Sequence, residues 1–224
     1  MVYRMNIHPT VRGDGVDQLD GDFSKVKLVD NSPDGGMLND TLGSGRPVKT
    51  EFMPTMMRWD EAAGQMPDFE ISWALNVSEG AKALIERFEP DVHQFIPVDY
   101  VLSDGKLLEK RWFLVPCHRI DSTDHDRTTF VMIETRNKEG ELWNKHWRSV
   151  YDLVANKQFE KIPPHLPHDT QSELIFSNKK IGSRQLWMEM YLLSDKGPYM
   201  SDDLANAIVS AGLTGIKPTL METV

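Results

Sequence analysis

The clearest secondary-structure pattern lies in residues Ser78 to Cys117, which read SEGAKALIERFEPDVHQFIPVDYVLSDGKLLEKRWFLVPC. Its first part predicts a helix that begins after Ser78, ends at Pro90 and has an apolar face formed by Ala81, Leu84, Ile85 and Phe88. Residues 92–102 then alternate between apolar and polar, which is typical of a half-buried strand. The turn Ser103-Asp104-Gly105-Lys106 leads into a partner strand over residues 107–117. A helix packed on antiparallel strands predicts an α+β fold.

Elements further along the chain extend this pattern. More strands are predicted at residues 129–134, 174–177 and 186–193. A second helix is predicted from the spacing of Trp143, Trp147, Val150, Tyr151 and Val154. Ser201 caps a short helix that ends near Gly212, and Pro218 favours an edge position for a last strand at residues 216–221. The predicted architecture is small, mainly antiparallel sheets packed with a few short amphipathic helices.

The chain before residue 69 has a different character. It places seven of the 15 glycines between positions 13 and 45, and prolines interrupt the same region. Short strands are predicted only at Val2 to Ile7, Phe23 to Val29 and Val48 to Phe52. We therefore interpret residues 1–68 as a loop-rich N-terminal arm or edge layer, not an independent domain, and residues 69–224 as the α+β domain.

Composition excludes several classes of protein. The 224 residues include one Cys, so no intramolecular disulfide can form and a reducing cytoplasm is predicted. No apolar run approaches the roughly 20 residues of a membrane helix, and the N-terminus lacks the apolar core of a secretory signal. The formal net charge of −9 disfavours nucleic acid and favours a basic partner protein. The sequence leaves the oligomeric state open.

The densest group of ligand-type residues is His118, Asp121, Asp124, His125 and Asp126. Such side chains hold divalent metals, and a His–Asp pair can act as a base. The same segment is also a polar turn between two predicted strands, and no helix presents the ligands at a four-residue spacing. We favour the turn.

Other candidate motifs are incomplete. Gly13-Asp14-Gly15 and Gly43-Ser44-Gly45 are followed neither by Lys-Ser/Thr nor by a helix, so no phosphate loop is predicted. The acids Asp14, Asp17, Asp20 and Asp22 lack the closing Glu of a calcium loop. His165 and His168 lie in a proline-rich linker, and Cys117 is predicted to be a small buried side chain. The sequence therefore predicts no catalytic residue, no metal and no cofactor.

A cluster of methionines is the other candidate feature. Met53, Met56, Met57 and Met66 lie within fourteen residues, with Trp59 among them. Met and Trp are enriched at the centres of protein interfaces, although flexible packing of the arm on the main core explains the same residues. The six Trp are predicted to be anchors of the core and strands.

Two stretches carry a resemblance to a known family. The first joins Phe69-Glu70-Ile71-Ser72-Trp73, the helix after Ser78, and Phe95-Ile96-Pro97-Val98 before the Asp104-Gly105 turn. The second runs from Tyr199-Met200-Ser201-Asp202-Asp203-Leu204 to Ala211-Gly212-Leu213-Thr214-Gly215-Ile216. In this order they resemble the immunity proteins of bacterial polymorphic toxin systems, immunity family eleven. The likeness covers about residues 69–224, and the first third matches poorly.

The resemblance implies a cytoplasmic protein that binds and neutralises a cognate toxin, and it brings no catalytic site. We expect steric inhibition, with acidic side chains around a Met/Trp contact. The candidate contacts are Met56, Met57, Trp59, Asp121, Asp124 and Asp126. Two alternatives remain: a small metal-dependent hydrolase that uses the His118–Asp126 segment, and a non-catalytic oligomeric interaction module.

Overall fold

The computed structural model describes residues 1–7, 15–32, 34, 36, 41–192 and 197–224. In these residues the helices are α1 Glu79–Phe88, α2 Val150–Ala155, α3 Asn178–Ile181 and α4 Asp202–Ser210. The strands are β1 Val2–Ile7, β2 Val16–Gln18, β3 Met56–Trp59, β4 Phe69–Ile71, β5 Leu75–Val77, β6 Gln94–Val101, β7 Leu107–Val115, β8 Arg119–Ile120, β9 Val131–Arg136, β10 Leu142–Arg148, β11 Ile175–Phe176, β12 Leu186–Glu189, β13 Tyr199–Ser201 and β14 Ile216–Thr223. Gly13, Asp14 and Leu193 lie outside the described residues.

The strands form two six-stranded sheets and one hairpin. The first sheet has the order β11-β14-β1-β13-β12-β8, and the second has the order β2-β3-β6-β7-β5-β4. The hairpin consists of β9 and β10. Three of the pairings are parallel, β11 with β14, β12 with β8 and β3 with β6, and the others are antiparallel. The predicted α+β class with mainly antiparallel sheets is confirmed.

The central helix, hairpin and C-terminal helix form as predicted. The Ser78 hydroxyl accepts the Ala81 N–H at 3.2 Å and caps α1, and the Ser201 hydroxyl caps α4 in the same way at 3.1 Å. Strands β6 and β7 pair on both sides of the predicted turn. The apolar faces of α1 and α4 share one core with one face of each sheet, which includes Phe69, Leu114, Met5 and Met200. Because this core is shared, the two sheets are packed as one unit.

Two predicted strands of the N-terminal region are wrong. Residues 23–25 form a 3-10 turn because the Asp22 carboxylate accepts the Ser24 N–H at 3.0 Å, and this local bond competes with sheet pairing. Residues 48–52 contribute only a single bridge, between Leu28 and Val48. The N-terminal region nevertheless packs Val26, Val48 and Met53 against one face of the second sheet, where they are buried.

The predicted helix around residues 143–154 is also wrong in its first half. Trp143 and Trp147 belong to β10, and α2 begins only after Ser149, whose hydroxyl accepts the Asp152 N–H at 3.0 Å. The helical spacing therefore combined residues of a strand and of a helix. Trp147 is buried, whereas Trp143 lies at a bulge in β10 and is 71% exposed.

Pro218 does not mark an edge strand, because β14 lies between β11 and β1. Pro218 stands opposite Met5, whose N–H points away from β14 and donates to the Pro198 carbonyl at 2.9 Å. Strand β11 pairs with β14 only at Glu222 and Thr223. The missing N–H of Pro218 therefore removes no bond of either ladder, which explains why proline is tolerated inside this sheet. Within the described residues, the helices are too short and too polar to cross a membrane.

Candidate partner-binding surface

The face of the second sheet that carries Met56 is covered by α1 where Val77, Phe95 and Trp112 are packed, and the rest of that face is exposed to solvent. We call this exposed part the open face, and it comprises Asp17, Met56, Arg58, Pro97, Asp99 and Lys110. The register places them side by side, since Asp17 pairs with Arg58, Met56 with Asp99, and Asp99 with Lys110. Side chains of paired residues project from the same face of a sheet. The open face is therefore a continuous surface across four strands.

Local bonds fix the start of β3 and so the position of Met56. The Asp20 carboxylate accepts the backbone N–H groups of Thr55 and Met56 at 2.9 and 3.0 Å. Burial acts to raise the pKa of Asp20, but the hydrogen bonds from Thr55 and Met56 outweigh it and hold the pKa below its usual value. Met56 itself is 40% exposed.

Met57 and Trp59 lie on the opposite face of the same sheet. Their exposures are 0% and 5%, and they pack with Val98 and Tyr100 under the N-terminal segment. Successive residues of a strand point to opposite faces, so Met56 and Met57 cannot touch one partner at one surface. Of these three candidate contacts, the structure presents only Met56 to solvent.

The open face combines apolar side chains with locally paired charges. The Arg58 guanidinium donates from Nε to the Asp17 carboxylate at 3.1 Å, and both side chains remain largely exposed. Asp99 and Lys110 are cross-strand neighbours of opposite charge. Met56 lies beside Asp99, and Pro97 precedes Asp99 by two residues on the same face of β6. A rigid surface of this mixed character is typical of non-obligate protein interfaces.

The acidic loop, residues Asp121–Asp126, follows β8 in the first sheet. Asp121 accepts from His125 Nε2 at 2.8 Å and from Lys180 Nζ at 2.9 Å. Asp124 accepts the N–H groups of Asp126 and Arg127 at 3.1 and 3.2 Å, which closes the turn. Asp126 is exposed, so it is the acid of this loop that is most accessible to a partner. The structure does not bring the acidic loop and Met56 onto the same sheet.

The histidines of the same segment are separated. His118 Nε2 lies 3.2 Å from the Glu89 carboxylate, whereas His125 bonds Asp121. Within the described part of the chain, no three His, Cys, Asp or Glu side chains are placed to hold a metal ion. The hydrolase alternative therefore lacks the single cluster from which it was inferred.

Glu89 forms a buried centre that the sequence did not reveal. Its carboxylate accepts from His93 Nε2 at 2.7 Å, and the backbone N–H groups of Gln185 and Leu186 lie at 2.8 and 3.0 Å. Together with His118 these groups belong to three separate segments of the chain. Burial acts to raise the pKa of Glu89, but the bonds from His93 and the Gln185 N–H outweigh it, and the pKa lies below its usual value. We assign Glu89 to the stability of the fold.

Two further carboxyl groups are buried without a direct cation. Burial raises the pKa of Glu70 to about 7 and that of Glu189 to about 7, although both accept hydrogen bonds. Glu70 accepts from Asn76 and Ser72, and Glu189 accepts the Ser122 N–H at 2.6 Å. Each carboxyl is enclosed within its own sheet, which points to a structural role.

Several aromatic side chains are exposed, including two of the six Trp that were predicted to anchor the core and strands. Trp73 and Trp143 are 60% and 71% exposed, and Tyr151 is 76% exposed. The anchoring role is correct for Trp59, Trp147 and Trp187, which are buried. A bulge in β10 explains Trp143, because the inserted residue leaves the alternation of the strand.

The open face and the acidic loop are the two surfaces of this α+β fold on which the candidate contact residues lie. Among known families, residues 23–223 match the immunity protein family Imm11. The chain belongs to this family, and the predicted resemblance is confirmed. The match begins well before Phe69, so it includes most of the N-terminal region that the resemblance left out. A search of curated proteins finds no match for the chain.

Proposed function

We propose that this protein is a non-catalytic bacterial immunity protein that binds a cognate toxin domain of a polymorphic toxin system in the cytoplasm and blocks it sterically. The observation that carries the proposal is the family match over residues 23–223. Steric inhibition needs a stable surface of matching shape and no reacting group.

The toxin contacts the open face around Met56 and the acidic loop around Asp126. Met56 supplies an adaptable apolar contact, and Pro97 beside it adds rigid apolar area. Asp121 and Asp124 shape the loop and add negative charge, while Met57 and Trp59 support β3 from beneath. The open face and the acidic loop provide two separate contact areas for the toxin.

The charge of the chain favours a basic toxin. With 25 Lys and Arg against 34 Asp and Glu, the formal net charge is −9. A field of this sign speeds association with a positively charged partner and weakens as salt rises. Binding should therefore become slower at higher ionic strength, mainly through the association rate.

The first experiment is an affinity pull-down from the native organism, followed by titration of the recovered partner. A partner with a toxin-like domain, whose activity the protein inhibits at one-to-one stoichiometry, supports the proposal. If a toxin is recovered and inhibited, but neither Met56→Glu nor Asp126→Lys changes its affinity, the proposed function stands and the placement of the contacts is refuted. Val209→Glu, at an exposed apolar position of α4, is the matched control.

A further inference from the structure

A cavity of about 370 Å³ opens on the first sheet, away from the open face. It lies between β1, β14 and residues 172–174, and its apolar walls include Phe130, Leu174, Leu192 and Met221. This volume is in the range of protein pockets that hold small ligands. Apolar walls around a few polar groups are the usual construction of such pockets.

Arg4 supplies the positive charge of the cavity. It lies on β1, and its Nε atom is buried with no hydrogen-bond partner among the described residues. Nε has almost no accessible surface, so an acceptor bound in the cavity would pair with the terminal nitrogens of the same guanidinium and offset the cost of burying part of its charge. The planar guanidinium matches a carboxylate, which it can bind through two parallel hydrogen bonds.

One acidic side chain accompanies Arg4 at the cavity. Glu173 is exposed and belongs to the lining, whereas alternation along β14 directs the side chain of Glu222 to the face opposite Met221 and Arg4. A ligand with several negative charges would be repelled there, whereas a basic group just outside the cavity would be attracted. The arrangement therefore selects one carboxylate inside, an apolar group beside it and a positive charge at the mouth.

We propose that this cavity binds the C-terminal residue of a polypeptide. The terminal carboxylate binds Arg4, an apolar last side chain packs against Phe130 and Leu174, and a basic residue just before it meets Glu173. A chain end fits because it enters a cavity without having to leave it again. An internal Asp or Glu would require the chain to pass both in and out.

The test is isothermal titration calorimetry of the full-length protein with two peptides, acetyl-Lys-Leu with a free carboxylate and the same peptide as its C-terminal amide. We expect the amide to bind about tenfold more weakly or worse, because it lacks the charge that Arg4 recognises. Arg4→Met should weaken the free acid by a similar factor and leave the amide unchanged. Arg58→Met, on the other sheet, is the matched control. Glu173→Gln should weaken acetyl-Lys-Leu severalfold and leave acetyl-Ala-Leu unchanged.

Equal affinity for acid and amide, or no binding of either at millimolar concentration, would overturn the proposal. So would binding of free L-leucine as tightly as the peptide, since the occupant would then be an amino acid. If Arg4→Met fails to fold, the comparison of acid with amide on the unaltered protein still decides the question. The result is independent of the toxin, because no toxin is present in the assay.

Discussion

Glu89→Gln should lower the free energy of unfolding by about 3 kcal/mol. Each carboxylate oxygen of Glu89 accepts two donors. One oxygen accepts from His118 Nε2 and the Gln185 N–H, and the other accepts from His93 Nε2 and the Leu186 N–H. The amide group of glutamine replaces one acceptor with a donor, so two of the four bonds are at risk whichever way the amide turns.

The tautomers of the two histidines decide which orientation costs less. His93 Nδ1 accepts the Cys117 N–H at 3.1 Å, so in neutral His93 the proton must lie on Nε2, which can only donate. Among the described residues no hydrogen bond fixes the tautomer of His118, so His118 can change tautomer and accept from the new amide. The amide should therefore turn toward His118 and leave the Gln185 N–H without an acceptor. An unpaired buried N–H costs about 1–3 kcal/mol, and the remaining bonds lose the strengthening effect of the charge.

Urea unfolding followed by tryptophan fluorescence measures this difference, with Glu86→Gln as the control. Glu86 lies on the same helix, but its side chain is 41% exposed and pairs only with Lys82, so its loss should cost less than about 0.5 kcal/mol. For a chain of this length, the expected loss at Glu89 corresponds to about 6–12 °C in Tm. A loss below about 1 kcal/mol, or one equal to that of Glu86→Gln, would refute the reasoning.

The same substitution has a defined pH dependence. Because the pKa of Glu89 is lowered in the folded protein, its contribution is present above its unfolded value of about 4.5 and is lost as the pH falls through the folded value. The gap between the natural protein and Glu89→Gln should be constant from about pH 6 to 8 and narrow below about pH 4.5. A gap that persists at pH 3 would show that the charge of Glu89 is not its source.

The remaining predictions concern the second sheet and the C-terminal turns. Because the pKa of Glu70 is raised to about 7 in the folded protein, the natural protein loses stability as the pH rises from about 4.5 through 7. Between pH 5 and 8 the free energy of unfolding of Glu70→Gln should therefore rise by about 2 kcal/mol relative to that of the natural protein, as measured by urea unfolding. Gly215→Ala should lower the free energy of unfolding by more than about 3 kcal/mol, because the new Cβ overlaps a backbone carbonyl of β4. Gly212→Ala, whose new Cβ meets no atom, should lower it by only about 1 kcal/mol, and thermal unfolding measures both variants. Met57→Ala should lower stability by about 2–5 kcal/mol, whereas Met56→Ala should leave Tm nearly unchanged and weaken toxin binding, as measured by calorimetry.

Local periodicity accounts for the parts of the fold that could be predicted. The helix after Ser78 and the hairpin of β6 and β7 depend on residues close together in the chain, and their apolar spacing indicated them correctly. The error around Trp143 has the same origin. A spacing of four residues fits a helix, but it also arises when a strand with a bulge is followed at once by a capped helix.

The candidate site could be predicted only in part, because composition and orientation are different kinds of information. The cluster of Met56, Met57 and Trp59 suggested a contact surface, yet alternation along a strand divides it between two faces. Which face is covered depends on the packing of Val26, Val48 and Met53, which has no local signature in the sequence. The Glu89 centre was missed for a similar reason, since it joins the neighbouring positions 89 and 93 to positions 118 and 185, which are far from them in the sequence.

The surroundings of β3 favour a preformed surface over one that is created by binding. Strand β3 lies between β2 and β6, its first residues are held by Asp20, and its inner side chains are fully packed. Moving Met56 would disturb both neighbouring strands and the core beneath them, so rotation of its side chain is the adjustment left to it. A preformed surface of this kind loses little conformational entropy on association. That is the property an inhibitor needs if it acts by occupying a surface and not by reacting with its target.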